Sequence, residues 1–600
     1  MSAVTPTQLE SDAPRAVEPE PSLRDRVSPR LRRRLPDLIA AAAYLMIAAI
    51  VLGHYWPDVR HRISGHLPDD HLWFEWLLGH GAYTVRHLSN PLVSMRQNVP
   101  VGVNMMANTS VLGLTIPLAP LTMLLGPQIV YLLWLGGAPA ATAFSSYWVL
   151  SRHLVKSRPA AAVAGAFVGF APGIVHHANG QANFLTNFLL PFIVLRAMKL
   201  AEDGRWLRNG IYLGLLVTYQ AFLNEEQLLV TALGCVVALL AYAAMRQEEA
   251  KAMLKPFFAA AGVAALIAVT LLAYPLWYQF KGPQTFQGLP FSGWGEDVRA
   301  FFTYPRDSLA GDASTERTIG ITEQNSWYGI TLFALVPILV IVLWRSLHAR
   351  IAAITGAVFA VCSLGANIRW NGHLTSHKAP WSLIPADAPL VGLLLPTRLV
   401  YVSTLAIGVL LALAWDKVAR PDGSARDWFR FDARIAIAIA LIPLIPTPVP
   451  VQSADPIPHF ITSEKWRPYT SAGGTLVPVP VPNNRQGIAG LQWSGATLHE
   501  FAIPAGYFLG PDENGKGRLG VPARPTTTLL DTVAATGQVP QITDKNKADA
   551  LRDLRYWHAA ILVLPKTPNH DALFDTLEAL FGPGQRVDDV WLWDVRALTK

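Results

Sequence analysis

Cysteine is nearly missing from this 600-residue chain. Its two copies, Cys235 and Cys362, sit inside apolar runs, which excludes a disulfide scaffold and a cysteine metal centre. Charge is scarce as well: 15% of residues are Asp, Glu, Lys or Arg, where a soluble domain carries about 25%. Glycine patterns for nucleotides are absent, since neither Gly102 nor Gly113 sits between a strand and a helix, and there is no phosphate loop of an ATP-driven pump. No histidine pair has the spacing of a helical zinc hydrolase. Heptads and internal repeats are missing too. An ordinary soluble enzyme and a disordered chain are thereby excluded.

What the chain has is hydrophobic length. Hydrophobic residues make up 51% of it, and the mean hydropathy is +0.29 even though both ends are polar. A helix needs about 20 mostly apolar residues to cross roughly 30 Å of hydrocarbon. Candidate spans lie near 36–53, 128–149, 160–175, 183–198, 209–222, 227–245, 257–276, 328–344, 351–366, 392–413 and 433–447. The first follows Arg30, Arg32, Arg33 and Arg34, too far from the start for a cleaved signal peptide. It reads as an uncleaved anchor behind a disordered cytoplasmic tail, residues 1–34.

Basic residues mark the cytoplasmic ends of spans. They gather at Arg152/Lys156/Arg158, Lys199/Arg205/Arg208, Arg246/Lys251/Lys255, Arg345/Arg350 and Lys417/Arg420/Arg427/Arg430. All of these fall inside if 110–125, broken by Pro117 and Pro120, is a pair of short surface helices or a re-entrant segment. The expectation is a polytopic α-helical membrane domain over 35–447, with about eleven spans and the N-terminus in the cytoplasm. The net charge of +7 is then a topology signal, and nucleic acid drops out as a partner. The lipid bilayer is the first partner.

The outer face receives loops 55–127, 277–327 and 367–391, the short turns near 176–182 and 224–226, and everything after about 448. Prolines at 443, 446, 448, 450, 456 and 458 mark the exit from the membrane. Residues 448–600 read as an extracytoplasmic α/β or α+β domain. Strands are expected at Thr475–Val481, Ala559–Val563 and Arg586–Val595, with helices starting at Thr526 and over His570–Leu580. The plain role for such a domain is a structural lid, ahead of a catalytic role of its own.

Five constellations on the outer face carry possible chemistry. His66–Leu67–Pro68–Asp69–Asp70–His71 precedes Leu72, Trp73, Phe74, Trp76 and Leu77, an aromatic segment that reads as an interface-lying helix. One aspartate can cap that helix while the other faces a cleft, taking a proton from a hydroxyl or binding a divalent cation. The second runs from Phe170 to Asn183 and holds His176, His177, Asn179 and Asn183 at a span junction, more polarity than a turn needs. These side chains suit a sugar or a diphosphate, and a neutral imidazole suits a metal, although a hydrogen-bonded junction would also use them. The third is Asn224–Glu225–Glu226–Gln227, either part of the cleft or helix caps and partners for basic groups. The fourth is Pro396–Thr397–Arg398, where a guanidinium fork at the end of an apolar helix matches a phosphate or pairs with an outer-loop carboxylate. Arg369 and His373 are weaker candidates. The 277–327 loop adds Tyr278, Trp294, Glu296, Asp297, Tyr304, Glu323, Gln324, Asn325, Trp327 and Tyr328, aromatics beside carboxylates and amides of the kind that bind carbohydrate and also line membrane interfaces.

A first span, an outward acidic pair and an aromatic helix together resemble the GT-C superfamily of polytopic glycosyltransferases. More closely, the chain is similar to the large bacterial membrane proteins called YfhO-like or GT-C-like. The residues that carry the similarity are Pro68–Asp69–Asp70 with Trp73–Phe74, Asn98–Val99–Pro100 through Asn104–Met105–Met106–Ala107–Asn108–Thr109, Gly169–Phe170–Ala171–Pro172 leading to His177 and Asn183, and Thr462 to Tyr469. The resemblance implies a glycosyltransferase in a bacterial plasma membrane, with a polyprenyl-phosphate sugar as donor. The acceptor would be an envelope glycan or glycolipid, and Asp69 or Asp70 the general base. It leaves metal dependence open: a divalent cation (Mg, Mn or Ca) would take Asp70 and His177 as ligands. A composition rich in Ala, Leu and Arg suits an actinobacterial protein, whose product by analogy is an arabinan, a mannan or another cell-wall glycan. Two rival classes are a lipid-linked glycan transporter or flippase, which calls for charged residues at mid-membrane and inverted repeats, and a non-catalytic scaffold for envelope assembly.

Overall fold

A computed structural model of the chain describes residues 29–202, 204–288, 294–319, 323–385, 394–418, 427–470, 473–483 and 488–599. Among the described residues, six helices are long and apolar enough to cross a membrane: Arg34–Val51, Pro127–His153, Arg158–His177, Glu225–Met245, Gln247–Lys281 and Pro396–Lys417. Shorter apolar helices cover Gly329–Leu343, Leu347–Cys362 and Arg434–Leu444. The chain is a multi-pass helical membrane protein.

Most of the expected spans fall on helices, although 160–175 is interrupted at Ala171 and residues 392–393 lie outside the described residues. The span at 183–198 is not one continuous helix. A 3-10 turn at Ala182–Leu185 is followed, after a gap, by a helix over Leu190–Met198. Nine residues at 1.5 Å each reach only about 14 Å, half the hydrocarbon thickness. The reason is local: Thr186 donates to the Ala182 carbonyl, Asn187 donates to the Phe184 carbonyl, and Pro191 has no N–H to offer. The 110–125 segment forms two short helices, Leu112–Thr115 and Ala119–Leu125.

The aromatic helix after the acidic pair is Pro68–His87, and its surroundings correct the expectation of an interface-lying element. Trp76, Leu77 and Leu78 are wholly buried. Phe74 meets Trp134 edge-on at 5.4 Å on one side, and Trp76 stacks on His499 at 4.2 Å on the other. Protein covers the aromatic side chains from both directions, so the helix is a slab between the bundle and the C-terminal layer.

That layer is built on a four-stranded sheet in the order Gln585–Val587, Val590–Asp594, Ala559–Leu564, Thr475–Pro478. The last pair is parallel and the others antiparallel. Every residue of Ala559–Leu564 is buried, because Leu562 and Leu564 face Leu530, Leu554, Leu573 and Leu577 while Ile561 and Val563 face Phe460, Trp466 and Phe501. The strand expected over Arg586–Val595 is instead a hairpin that turns at Asp588, whose φ is +60°. The layer is also tied back to the first loop, since Arg62–Ser64 pairs antiparallel with Val451–Ser453. A boundary at 448 therefore cuts through a sheet.

Candidate active site at the end of the bundle

Asp69 and Asp70 lie in the first turn of the Pro68–His87 helix, where the helix dipole favours negative charge. Neither serves as a side-chain cap; Leu67 holds the N-cap position. Asp70 is claimed from two directions. Gln181 donates its amide to Oδ2 at 3.1 Å and the Tyr507 hydroxyl donates to Oδ1 at 2.6 Å. Burial pushes the Asp70 carboxyl above the usual aspartate range, while these two hydrogen bonds to the charged form pull it back down part of the way. Glu323 and Arg398 lie close enough for their charges to act on it, in opposite senses. Asp69 is raised too, by burial and then by Asp70 beside it.

The turn that brings Gln181 to Asp70 depends on Gly180. Its φ is +135°, and a Cβ there would stand 2.6 Å from the Leu67 carbonyl oxygen. The Ser64 hydroxyl fastens the same turn by donating to the Asn179 carbonyl. From Gln181 the network continues inward. His177 Nδ1 lies 2.6 Å from the Gln181 amide oxygen, and its Nε2 lies 2.5 Å from Asn325 Oδ1. Gln181 uses its amide nitrogen on Asp70, which leaves its amide oxygen facing His177 Nδ1. Tyr401 donates to the same Asn325 oxygen at 2.9 Å. Asn325 is held in place by Glu296, whose buried carboxylate accepts from the N–H groups of Asn325 and Ser326 and from the Ser326 hydroxyl. Burial drives the Glu296 carboxyl well above its ordinary value.

Arg398 sits beside this chain over the ring of Phe184, at 4.3 Å, and that ring packs on His177 at 4.7 Å. The guanidinium is shared by two carboxylates. One Nη donates to Glu226, and the Nε/Nη2 edge forms a fork to Glu323 at 3.3 and 3.0 Å. All three side chains are largely covered, with Arg398 only 11% exposed. The fork edge expected to face a phosphate is thus held by a carboxylate.

His176 and Asn179 form a neighbouring node around Asp307. Asn179 donates to Asp307 Oδ2 at 2.7 Å, and His176 Nδ1 is 3.7 Å from the same oxygen. Burial alone would raise the Asp307 carboxyl, but His176, Asn179 and His66 outweigh it and leave the group below its usual range. Asn183 contributes its carbonyl, which accepts from Asn224 at 3.1 Å. Glu225 stands apart, taking a hydrogen bond from Gln279 at 2.6 Å.

Of the residues expected from the sequence, Asp70, His177, Glu226 and Arg398 come together; His176 and Asn179 adjoin them; Glu225 does not join. Asp70 and His177 do not converge on a shared ligand position, because Gln181 bridges them, and among the described residues no group of three or more His, Cys, Asp or Glu is placed to hold a metal ion. Asp297 anchors the hairpin of strands Asn367–Trp370 and His373–Lys378 through the N–H groups of Asn371 and Gly372. Tyr401 and Tyr507 were missed. Tyr401 lies one helical turn beyond Arg398, which the spacing could have shown. Tyr507 is 437 residues from Asp70, and no local pattern marks it.

The sequence matches no protein-family model and no curated protein. Among solved structures it is similar to the archaeal oligosaccharyltransferase AglB from Archaeoglobus fulgidus in complex with an inhibitory peptide and a dolichol-phosphate. That likeness has a TM-score of 0.47 and 12% identity, over 89% of this chain and 70% of that one. The apo form of the Archaeoglobus fulgidus oligosaccharyltransferase gives 0.45 and 11% over 88% and 69%. The form tethered with an acceptor peptide containing the NVT sequon gives 0.47 and 12% over 89% and 70%. A likeness at this level carries no functional inference for this chain.

Proposed function

We propose that this protein is a membrane glycosyltransferase that moves a sugar from a polyprenyl-phosphate donor to a hydroxyl of an envelope glycan or glycolipid, on the extracytoplasmic side. The observation that carries the reading is the junction of a partly buried carboxylate, Asp70, with the His177–Asn325 chain and the Arg398 ion cluster at one end of an apolar bundle. Acid–base and anion-handling groups thus sit beside helices that face lipid.

In the proposed step Asp70 takes the proton of the acceptor hydroxyl as that oxygen attacks the anomeric carbon. The bond from that carbon to the phosphate oxygen breaks, and polyprenyl phosphate leaves with the electron pair. Direct displacement needs placement and compensation of the leaving group's charge more than a covalent intermediate. Arg398 supplies that charge by exchange: the donor phosphate takes the Nε/Nη2 fork from Glu323, which sits on a loop, while Glu226 at a helix start keeps the other side. His177 and Asn325 hold Gln181, and through it the base.

Transfer of radiolabelled sugar from a polyprenyl-phosphate donor by purified protein tests the reading. Product formation supports it. Movement of labelled lipid across vesicles without transfer would make the protein a flippase, and neither activity would leave a scaffold.

A further inference from the structure

The asparagine-rich stretch Asn98–Asn108 has no part in the chemistry described so far, yet it grips a segment of the C-terminal layer on both sides of Tyr507. Asn108 closes a two-way clamp on Leu509, accepting from its N–H at 2.7 Å and donating to its carbonyl at 2.9 Å. The N–H groups of Asn98 and Val99 donate to the carbonyls of Ala505 and Ile503, and the Ile503 N–H returns to the Arg96 carbonyl. Gly506 lets the segment pass the Gln97 side chain, which occupies the place a Cβ would take. Asn104 braces the stretch from behind, donating to the carbonyls of Tyr278 and Pro283 and accepting from Met106 and Ala107. Tyr507 is therefore delivered to Asp70 on backbone fastened within two residues on either side.

We infer that Tyr507 is a positioning residue for Asp70, supplied by the C-terminal layer and aimed by the Asn98–Asn108 cradle. Its hydroxyl holds Oδ1 while Gln181 holds Oδ2, so the carboxylate is fixed in rotation and presents its remaining lone pairs in one direction. The C-terminal layer is then part of the reaction machinery as well as a cover. This inference rests on Asp70 being the base.

The test is steady-state transfer kinetics with the full-length protein, alongside its melting temperature. Tyr507→Phe keeps the ring and removes only the hydroxyl. It is expected to lower kcat about tenfold, as loss of a hydrogen bond to a charged group does, with KM for donor and acceptor within about twofold and melting unchanged. Asn108→Ala, which loosens the cradle without touching Asp70, should lower kcat in the same direction by less, and it carries the test if the phenylalanine variant does not fold. Equal kcat in wild type and both variants, with Asp70→Asn inactive, overturns the role of Tyr507 and leaves the base assignment standing. A rise in KM at constant kcat overturns it as well, by making Tyr507 a substrate contact. Full activity of Asp70→Asn removes the base itself.

Discussion

Asp69 and Asp70 are neighbours in sequence with different company. Asp69 is raised by burial and by the charge beside it, whereas Asp70 has two donors that stabilise its ionised form. Only the ionised carboxylate can take a proton, and burial leaves Asp70 above the ordinary aspartate value of about 3.9. Transfer is therefore expected to fall on acidification, with a half-point above that value; an initial-rate profile checks this, and a flat acid limb contradicts it. Arg398 allows a second prediction at this scale. Arg398→Lys keeps the charge and loses the fork, so KM for the donor should rise about tenfold while the protein still folds. Arg398→Ala leaves Glu226 and Glu323 without a counter-charge and should cost about 3–5 kcal/mol, read as a lowered melting temperature.

At the scale of elements, hydropathy located most of the helices because lipid and buried protein both demand apolar length. It failed where apolar residues are interleaved with short polar ones. Over 183–198, Asn183, Thr186, Asn187 and Pro191 end one element and begin another, and a window average passes over them. It also misplaced the Pro68–His87 helix, since aromatic content cannot distinguish a headgroup region from a protein layer. The site was half legible. Asp70, His177 and Arg398 stand out as polar groups at span ends, while Gln181 and Asn325 gain their meaning from each other across 144 positions of chain that only folding closes. The 177–181 turn can be tested by Gly180→Ala. A methyl group at φ +135° and 2.6 Å from the Leu67 carbonyl should cost about 1–3 kcal/mol and pull Gln181 off Asp70, reducing turnover more than the loss of stability explains.

Across the whole molecule, the two ends of the Arg158–His177 helix divide the chemistry. One end gathers Asp37 with Arg152 and Arg158; the other holds His176 and His177. In the proposed topology, where basic residues mark the cytoplasmic side, the first end faces the cytoplasm. Single cysteines in a background lacking Cys235 and Cys362 check this: Asn514→Cys should react with a membrane-impermeant reagent in intact cells, and Glu248→Cys only after permeabilisation. The opposite result inverts the protein. The C-terminal layer, paired to the first loop and seated on the aromatic helix, closes over the end of the bundle that holds Asp70. The most direct measurement of the central claim is sugar transfer by Asp69→Asn, Asp70→Asn and the double variant, each purified and shown to melt like the wild type. Loss of turnover in Asp70→Asn and in the double variant, with most activity kept in Asp69→Asn, is the predicted result. Wild-type turnover in all three would contradict it.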